Sequence, residues 1–126
     1  GCNLVYMQQT KKSFEDKSQI KAIAFVSDQS PTNAKRSYWM KFLNQDTGVS
    51  FGVEKYSKEY NCPVIYANII KVKRGYYEVY YSTITENPNN ESDGKITRDY
   101  TTKLEKEIIN KPQYWLWSHK RWKHKK

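Results

Sequence analysis

The sequence predicts an α/β fold: a mixed β-sheet of about four strands flanked by helices, in one domain spanning residues 1–126 with a basic tail at 119–126. Three observations predict it. Short apolar and β-branched runs alternate with stretches whose apolar residues recur every three or four positions. Polar, Pro- and Gly-containing clusters separate them. A chain of 126 residues with eleven Tyr and four Trp has the length and the aromatic bulk for one core.

The elements follow in order. Residues 3–14 read as a helix, with Leu4 and Met7 on one face, Lys11 continuing it and Phe14 beyond. Ala22-Ile23-Ala24-Phe25-Val26 is a short apolar run that reads as a buried strand, and Ser27-Asp28-Gln29-Ser30-Pro31 is the loop at its end. Lys35 and Arg36 make the continuation of that loop basic. Residues 38–43 read as a second strand. Asn44 to Thr47 is a polar break in which Asp46 or Thr47 can cap a helix. That helix is expected over about 48–60, with Val49, Val53, Tyr56 and Tyr60 as a buried stripe.

Val64 to Val72 is apolar at both parities, the pattern of a strand covered on both sides. Lys73-Arg74-Gly75 is a tight turn, and Tyr76 to Ile84 returns as the second arm of a hairpin. Residues 86–95 form a polar loop rich in Asn, Pro and Gly. Residues 96–110 form a helix with Ile96, Tyr100, Leu104 and Ile108 on one face and Thr97 as its cap. Pro112 stops it or opens a short turn.

Composition bounds the function. Lys and Arg number 22 against 13 Asp and Glu, for a net charge of +9. A basic surface suits nucleic acid, an anionic membrane surface or an acidic ligand. No stretch approaches the roughly 20 apolar residues of a spanning helix, which excludes an integral membrane protein for this chain. Cys2 and Cys62 give neither a disulfide framework nor a zinc spacing, and fit a reducing, cytosolic compartment. Gly1-Cys2 could be a lipoprotein remnant; the alternative is that Gly1 is foreign to the protein or that the chain starts mid-domain. No metal and no cofactor is expected.

The chemistry-bearing residues lie in two places. The last sixteen residues hold six cations (Lys111, Lys120, Arg121, Lys123, Lys125, Lys126) and no acid, so most of the excess charge is local. Trp115, Trp117 and Trp122 are interleaved with them. Indoles with cations suit a lipid headgroup layer and equally single-stranded nucleic acid; the plain alternative is indoles packed on the core with a solvated tail. Lys120, Arg121, Trp122 and Lys123 are therefore candidates for phosphate or membrane-surface contact. Asp28 and Gln29, just past an expected strand, could orient a hydroxyl or a headgroup, or simply satisfy backbone N–H groups. His119 and His124 are the only histidines, and no glycine-rich phosphate loop or nucleophile elbow is present.

Four segments carry a resemblance. Phe25-Val26-Ser27-Asp28-Gln29-Ser30-Pro31, then Phe42-Leu43-Asn44-Gln45-Asp46-Thr47, then Pro63-Val64-Ile65-Tyr66, and above all Pro112-Gln113-Tyr114-Trp115-Leu116-Trp117-Ser118-His119-Lys120-Arg121-Trp122-Lys123 resemble blocks of the bacterial lipid A biosynthesis acyltransferases, the lauroyl and myristoyl transferases of the lysophospholipid acyltransferase superfamily. The Lys73-Arg74-Gly75-Tyr76-Tyr77-Glu78-Val79 hairpin looks like the Bacteroidetes-type branch. The resemblance covers residues 4–123. It implies transfer of a fatty acyl chain from an acyl carrier protein or acyl-CoA-like thioester to a hydroxyl of a lipid A precursor or other phospholipid acceptor. The place implied is the cytoplasmic face of the bacterial inner membrane, within lipopolysaccharide biosynthesis.

One departure matters. The family's catalytic His-x-x-x-x-acid motif has no counterpart in this chain, where no histidine precedes Asp28 and the residue five after His119 is His124. No catalytic residue is therefore assigned here. The resemblance implies the C-terminal portion of a longer enzyme, held peripherally at the membrane through an N-terminal part, and inactive as this piece alone. The alternative is a non-enzymatic basic, aromatic module for single-stranded nucleic acid or anionic lipid; nucleic acid is the less expected partner.

Overall fold

A two-residue turn organises the first half of the chain. In the computed structural model, which describes residues 2–126, Leu43 and Asn44 both adopt positive φ (49° and 63°). That pair joins two antiparallel strands in the way the twist of a hairpin demands. The strands are β1 (Ser37–Phe42) and β2 (Gln45–Ser50), in register from Phe42 opposite Gln45 to Ser37 opposite Ser50. Leucine is an unusual occupant of the left-handed region; its backbone N–H is held by the Glu105 carboxylate. Lys41 pairs with Asp46 directly across the hairpin at 3.2 Å. The expected helix start at 48 is thus corrected. β-Branched Thr47 and Val49 serve the strand, and helix α2 begins only at Gly52 (Gly52–Tyr60).

Helix α2 meets the longest helix of the chain through a buried carboxylate. After a loop containing a short 3₁₀ turn at Pro88–Asn90, α3 runs over Lys95–Asn110. Its N-cap is Gly94, at φ 78° and without a side chain to accept the orphan N–H groups of the first turn. Glu54 of α2, 0% exposed, does so instead. One oxygen accepts from Gly94 N (2.6 Å); the other accepts from Thr97 N (2.9 Å) and Thr97 Oγ1 (2.7 Å). A negative charge at a helix N-terminus also opposes the macrodipole favourably. Thr97, expected as the cap, is the third helical residue and is itself capped by its neighbour. Lys58 reaches back to Glu54 (3.5 Å) and out to Asp93 (2.7 Å).

The core lies between α3 and the first hairpin. Phe42, Val49, Ile96, Tyr100 and Ile108 are buried there, joined by Val64. The expected stripe on α3 holds, with Leu104 half-buried. The expected stripe on α2 divides: Val49 is buried on a strand, while Tyr56 and Tyr60 leave the main core. They stack on Phe14 at 5.3 and 4.9 Å, and Phe25 stacks on Tyr56 at 6.2 Å.

Strands β3 (Val64–Lys73) and β4 (Tyr76–Thr85) form the expected hairpin around Arg74-Gly75. The α/β class and the four strands therefore hold. The strands do not share one mixed sheet: they pair as two separate antiparallel hairpins. Nor is β3 covered on both faces. Tyr66, Asn68 and Ile70 are half-buried, but Ile65, Ala67, Ile69 and all of β4 up to Thr83 are exposed. Apolar residues at both parities here mean tyrosines and aliphatics facing outward, not two covering layers.

The N-terminal segment departs furthest from expectation. The helix read over 3–14 is a 3₁₀ turn at Met7–Gln9 followed by α1 (Thr10–Glu15). Residues 22–26 form no strand, because no neighbouring strand supplies a ladder. Side chains still alternate, with Ile23 and Phe25 half-buried and Val26 91% exposed. Both cysteines are free thiols, Cys2 exposed and Cys62 half-buried. The reading of Gly1 lies outside the described residues.

Candidate functional site

The two chemistry-bearing stretches of the sequence come together, and the first hairpin is their platform. A 3₁₀ turn at Pro112–Tyr114 follows α3 and sends the C-terminal segment back across β1 and β2. Trp115 packs edge-on against Phe42 (5.9 Å), Trp117 (4.9 Å) and Trp122 (6.1 Å). Edge-to-face contacts of this kind add specific geometry to the burial of area. Trp122 Nε1 donates to Thr47 Oγ1 (2.8 Å), and Trp117 Nε1 donates to the Pro112 carbonyl (2.6 Å). The segment has no helix or strand of its own, yet its indoles fix it to the sheet.

Arg121 is the centre of this arrangement. It is 4% exposed, donates from Nη1 to the Gly48 carbonyl (2.9 Å) and lies 5.6 Å over the Phe42 ring. Its Nε is buried without a partner. Burial lowers the guanidinium's affinity for its proton, and the neighbouring Tyr100 and Asp28 act in the opposite sense. Arg121 therefore holds its charge inside the fold, against the Gly48 carbonyl and the Phe42 ring, rather than in solvent. Arg remains the cation best suited to such a site, since it keeps its proton when desolvated.

The Asp28 loop meets the segment from the other side. Ser27 to Ser30 are half-buried and Pro31 is buried. The Pro31 carbonyl lies 3.0 Å from His124 Nε2. Gln29 Nε2 donates to Asp28 Oδ2 (3.1 Å), while Gln29 Oε1 and Ser30 Oγ are buried and unpartnered. Asp28 also acts on Tyr66, whose hydroxyl donates to Glu107 Oε2 (2.9 Å) and is shifted strongly upward, first by burial. A carboxylate, an amide with a free oxygen and a hydroxyl thus lie in one half-buried loop, tied to the C-terminal segment through Pro31 and His124. Groups of this kind can receive a hydroxyl-bearing or anionic ligand, although neither surface groove noted below is lined by Asp28 or Gln29.

Of the candidates for phosphate or membrane-surface contact, Lys120 and Lys123 are exposed and Trp122 is half-buried. The solvent-facing part expected of Arg121 does not match its burial. His119 is half-buried, with Nδ1 buried and unpartnered. Among the described residues, no group of three or more His, Cys, Asp or Glu side chains is placed to hold a metal ion. Ser30, Thr47 and Gly48 carry no expected part in the site, Thr47 standing in the sequence only as a helix cap. Ser30 adjoins the Asp-Gln pair and could have been found there; Thr47 and Gly48 carry no signal until the hairpin is known.

Two surface grooves flank the second hairpin. One, of about 270 Å³, is lined by Thr83, Ile84, Asp99, Thr102, Lys103 and Lys106. The other, of about 420 Å³, is lined by Ile69, Lys71, Tyr77, Gln113 and Tyr114. Among the described residues no helix is long and apolar enough to cross a membrane.

The sequence model of the family described as "Bacterial lipid A biosynthesis acyltransferase" matches residues 4–124, nearly the whole chain. No curated protein and no solved structure matches it.

Proposed function

The chain belongs to the bacterial lipid A biosynthesis acyltransferase family, and from that premise we propose that it serves transfer of a fatty acyl chain to a hydroxyl of a lipid A precursor. Membership supports acyl transfer as the general activity and lipid A or an acyl donor as the general substrates. In our reading the donor is an acyl carrier protein or acyl-CoA-like thioester. The protein works peripherally at the cytoplasmic face of the inner membrane. We read the Lys73-Arg74-Gly75-Tyr76-Tyr77-Glu78-Val79 segment as that of the Bacteroidetes-type branch.

One observation carries the reading: the Asp28 loop and the C-terminal segment, distant in sequence, converge on the first hairpin through His124, Arg121 and Trp122. Asp28 and Gln29 orient the acceptor hydroxyl or its headgroup. Arg121 acts as a positioning residue, holding the C-terminal segment on the first hairpin through the Gly48 carbonyl. Lys120 and Lys123, free in solvent, meet phosphate on the lipid or on the donor. General-base catalysis needs a group within hydrogen-bond reach of the acceptor hydroxyl, and the family's His-x-x-x-x-acid motif has no counterpart among residues 1–126. This chain is then a C-terminal portion that binds without completing the reaction.

The test mixes the 126-residue chain with a lipid A precursor and a labelled acyl thioester. Binding of the precursor without acyl transfer is expected, with weaker binding after Asp28→Ala or Gln29→Ala. Acyl transfer by the chain alone, or unchanged precursor binding in both variants, would overturn the proposal.

A further inference from the structure

Among the described residues, the β3–β4 hairpin leaves one of its two faces without a partner. Residues directly opposite each other share a face. One face therefore carries Ile65, Ala67 and Ile69 on β3, opposite Thr83, Tyr81 and Val79 on β4. Lys71 and Tyr77 extend it toward the turn. Every one of these residues is exposed; Ile69 is 67% and Tyr81 73% exposed. The other face is the one tied to α3, through Tyr66 to Glu107 (2.9 Å) and Lys103 to Ser82 (2.8 Å). The free face is continuous with the groove formed by Ile69, Lys71, Tyr77, Gln113 and Tyr114.

Charge chooses the occupant. The end of the hairpin carries Lys71, Lys73 and Arg74, and the only acid between residues 64 and 85 is Glu78. Glu78 lies on the opposite face, opposite Ile70, where its carboxylate accepts from the Tyr80 hydroxyl. Lys73 stands 4.2 Å over the Tyr76 ring. A second copy of this +9 chain would bring like charge to like charge. Aliphatic Ile65, Ile69 and Val79 interrupt the tyrosines, so bases stacked on Tyr77 and Tyr81 would leave the aliphatic part of the face in water. An apolar face of aliphatics and amphipathic tyrosines, ending in cations, matches the headgroup layer of an anionic bilayer.

We propose that this hairpin, in addition to the C-terminal segment, seats the protein on an anionic lipid surface, its free face in the headgroup layer and Lys71, Lys73 and Arg74 on phosphates. The inference rests on the peripheral-membrane reading above but assigns the contact to a different element. Vesicle sedimentation of the 126-residue chain separates the two, using phosphatidylcholine alone and a three-to-one mixture with phosphatidylglycerol. The triple variant Lys71→Gln/Lys73→Gln/Arg74→Gln changes only exposed side chains. It should weaken partitioning onto the mixed vesicles on the order of 100-fold, about fivefold for each cation lost. Ile69→Ser with Tyr81→Ser should weaken it further at high salt, where screening leaves the apolar contact. Lys120→Gln/Lys123→Gln should cost less than the triple variant. Binding of the triple variant within twofold of wild type overturns the hairpin's role, and if the tail variant alone loses binding the peripheral reading survives without it. Failure of the wild-type chain to bind mixed vesicles, or tighter binding to a single-stranded oligonucleotide, overturns both.

Discussion

The two hairpins of this chain use the same kind of residues and end in opposite environments. β1–β2 buries Phe42, Thr47 and Val49 beneath α3 and the C-terminal indoles. β3–β4 is longer and as aromatic, yet it buries only Val64 and Thr85, half-buries Tyr66, Asn68, Ile70 and Ile84, and exposes the rest. What differs is the number of elements that return to cover each sheet. The first hairpin receives α3, Trp115, Arg121 and Trp122; the second receives α3 along one face only. A hydrophobic pattern states which residues can be buried, and tertiary partners decide which are. The same comparison separates two duties: the first hairpin is the platform for the C-terminal segment that meets the Asp28 loop, and the second offers a surface.

Substitutions can break or sharpen this contrast. The largest effect is expected at Phe42, 0% exposed and touched by both Trp115 and Arg121. Phe42→Ala should cost about 4 kcal/mol by urea unfolding, whereas Val79→Ala on the second hairpin should stay within about 0.5 kcal/mol. Equal losses would erase the distinction. Glu54→Ala comes next. It leaves Gly94 N–H, Thr97 N–H and the Thr97 hydroxyl without their buried acceptor, at a cost of about 3 kcal/mol.

The two positive-φ glycines give an internal control. Gly94 and Gly75 have nearly the same φ, 78° and 79°. A Cβ on Gly94 would fall 2.4 Å from the Tyr38 ring, and one on Gly75 would meet nothing within 4 Å. Gly75→Ala should therefore show only the backbone strain, about 1 kcal/mol. Gly94→Ala should add the overlap and reach about 3 kcal/mol. Equal values by thermal or urea unfolding would mean that Tyr38 yields freely.

The smallest effect is a pH dependence where α3 meets β3. Burial raises the Glu107 carboxyl above its ordinary 4.5, with the Tyr66 hydroxyl and Lys103 acting against it. A carboxyl raised on folding binds its proton more tightly in the native state. Its contribution is present at low pH and fades as pH rises from about 4.5 through the raised folded value. Glu107→Gln keeps an acceptor for Tyr66 and should flatten that decline, as read from unfolding curves between pH 4 and 7.

The sequence shows α3, the turn at Arg74-Gly75 and the strands around it, because their periodicities are long and their breakers strong. It hides β2, since Asp46 and Thr47 look like helix caps until the Leu43-Asn44 turn pairs them with Lys41 and Met40. It also hides Glu54, whose Lys58 at i+4 suggests a solvated pair while its real partners lie forty residues on, at the start of α3. Within the candidate site, Asp28, Gln29 and the Trp-His-Arg-Trp segment stand out by residue type. That Arg121 turns inward is visible only from the hairpin beneath it, because a cation in a tail reads as solvated unless a carbonyl such as that of Gly48 is seen to receive it.

Hydrogen exchange of the 126-residue chain, followed amide by amide with and without phosphatidylglycerol-containing vesicles, tests the division of labour most directly. Without vesicles, the core amides of β1, β2 and α3 should exchange only by global unfolding, while those of β3 and β4 from Ala67 to Tyr81 should exchange orders of magnitude faster through local opening. Vesicles should slow residues 67–81 and leave α3 unchanged. Protection of 67–81 equal to that of α3 in the absence of lipid, or protection by vesicles confined to residues 115–126, would contradict the account.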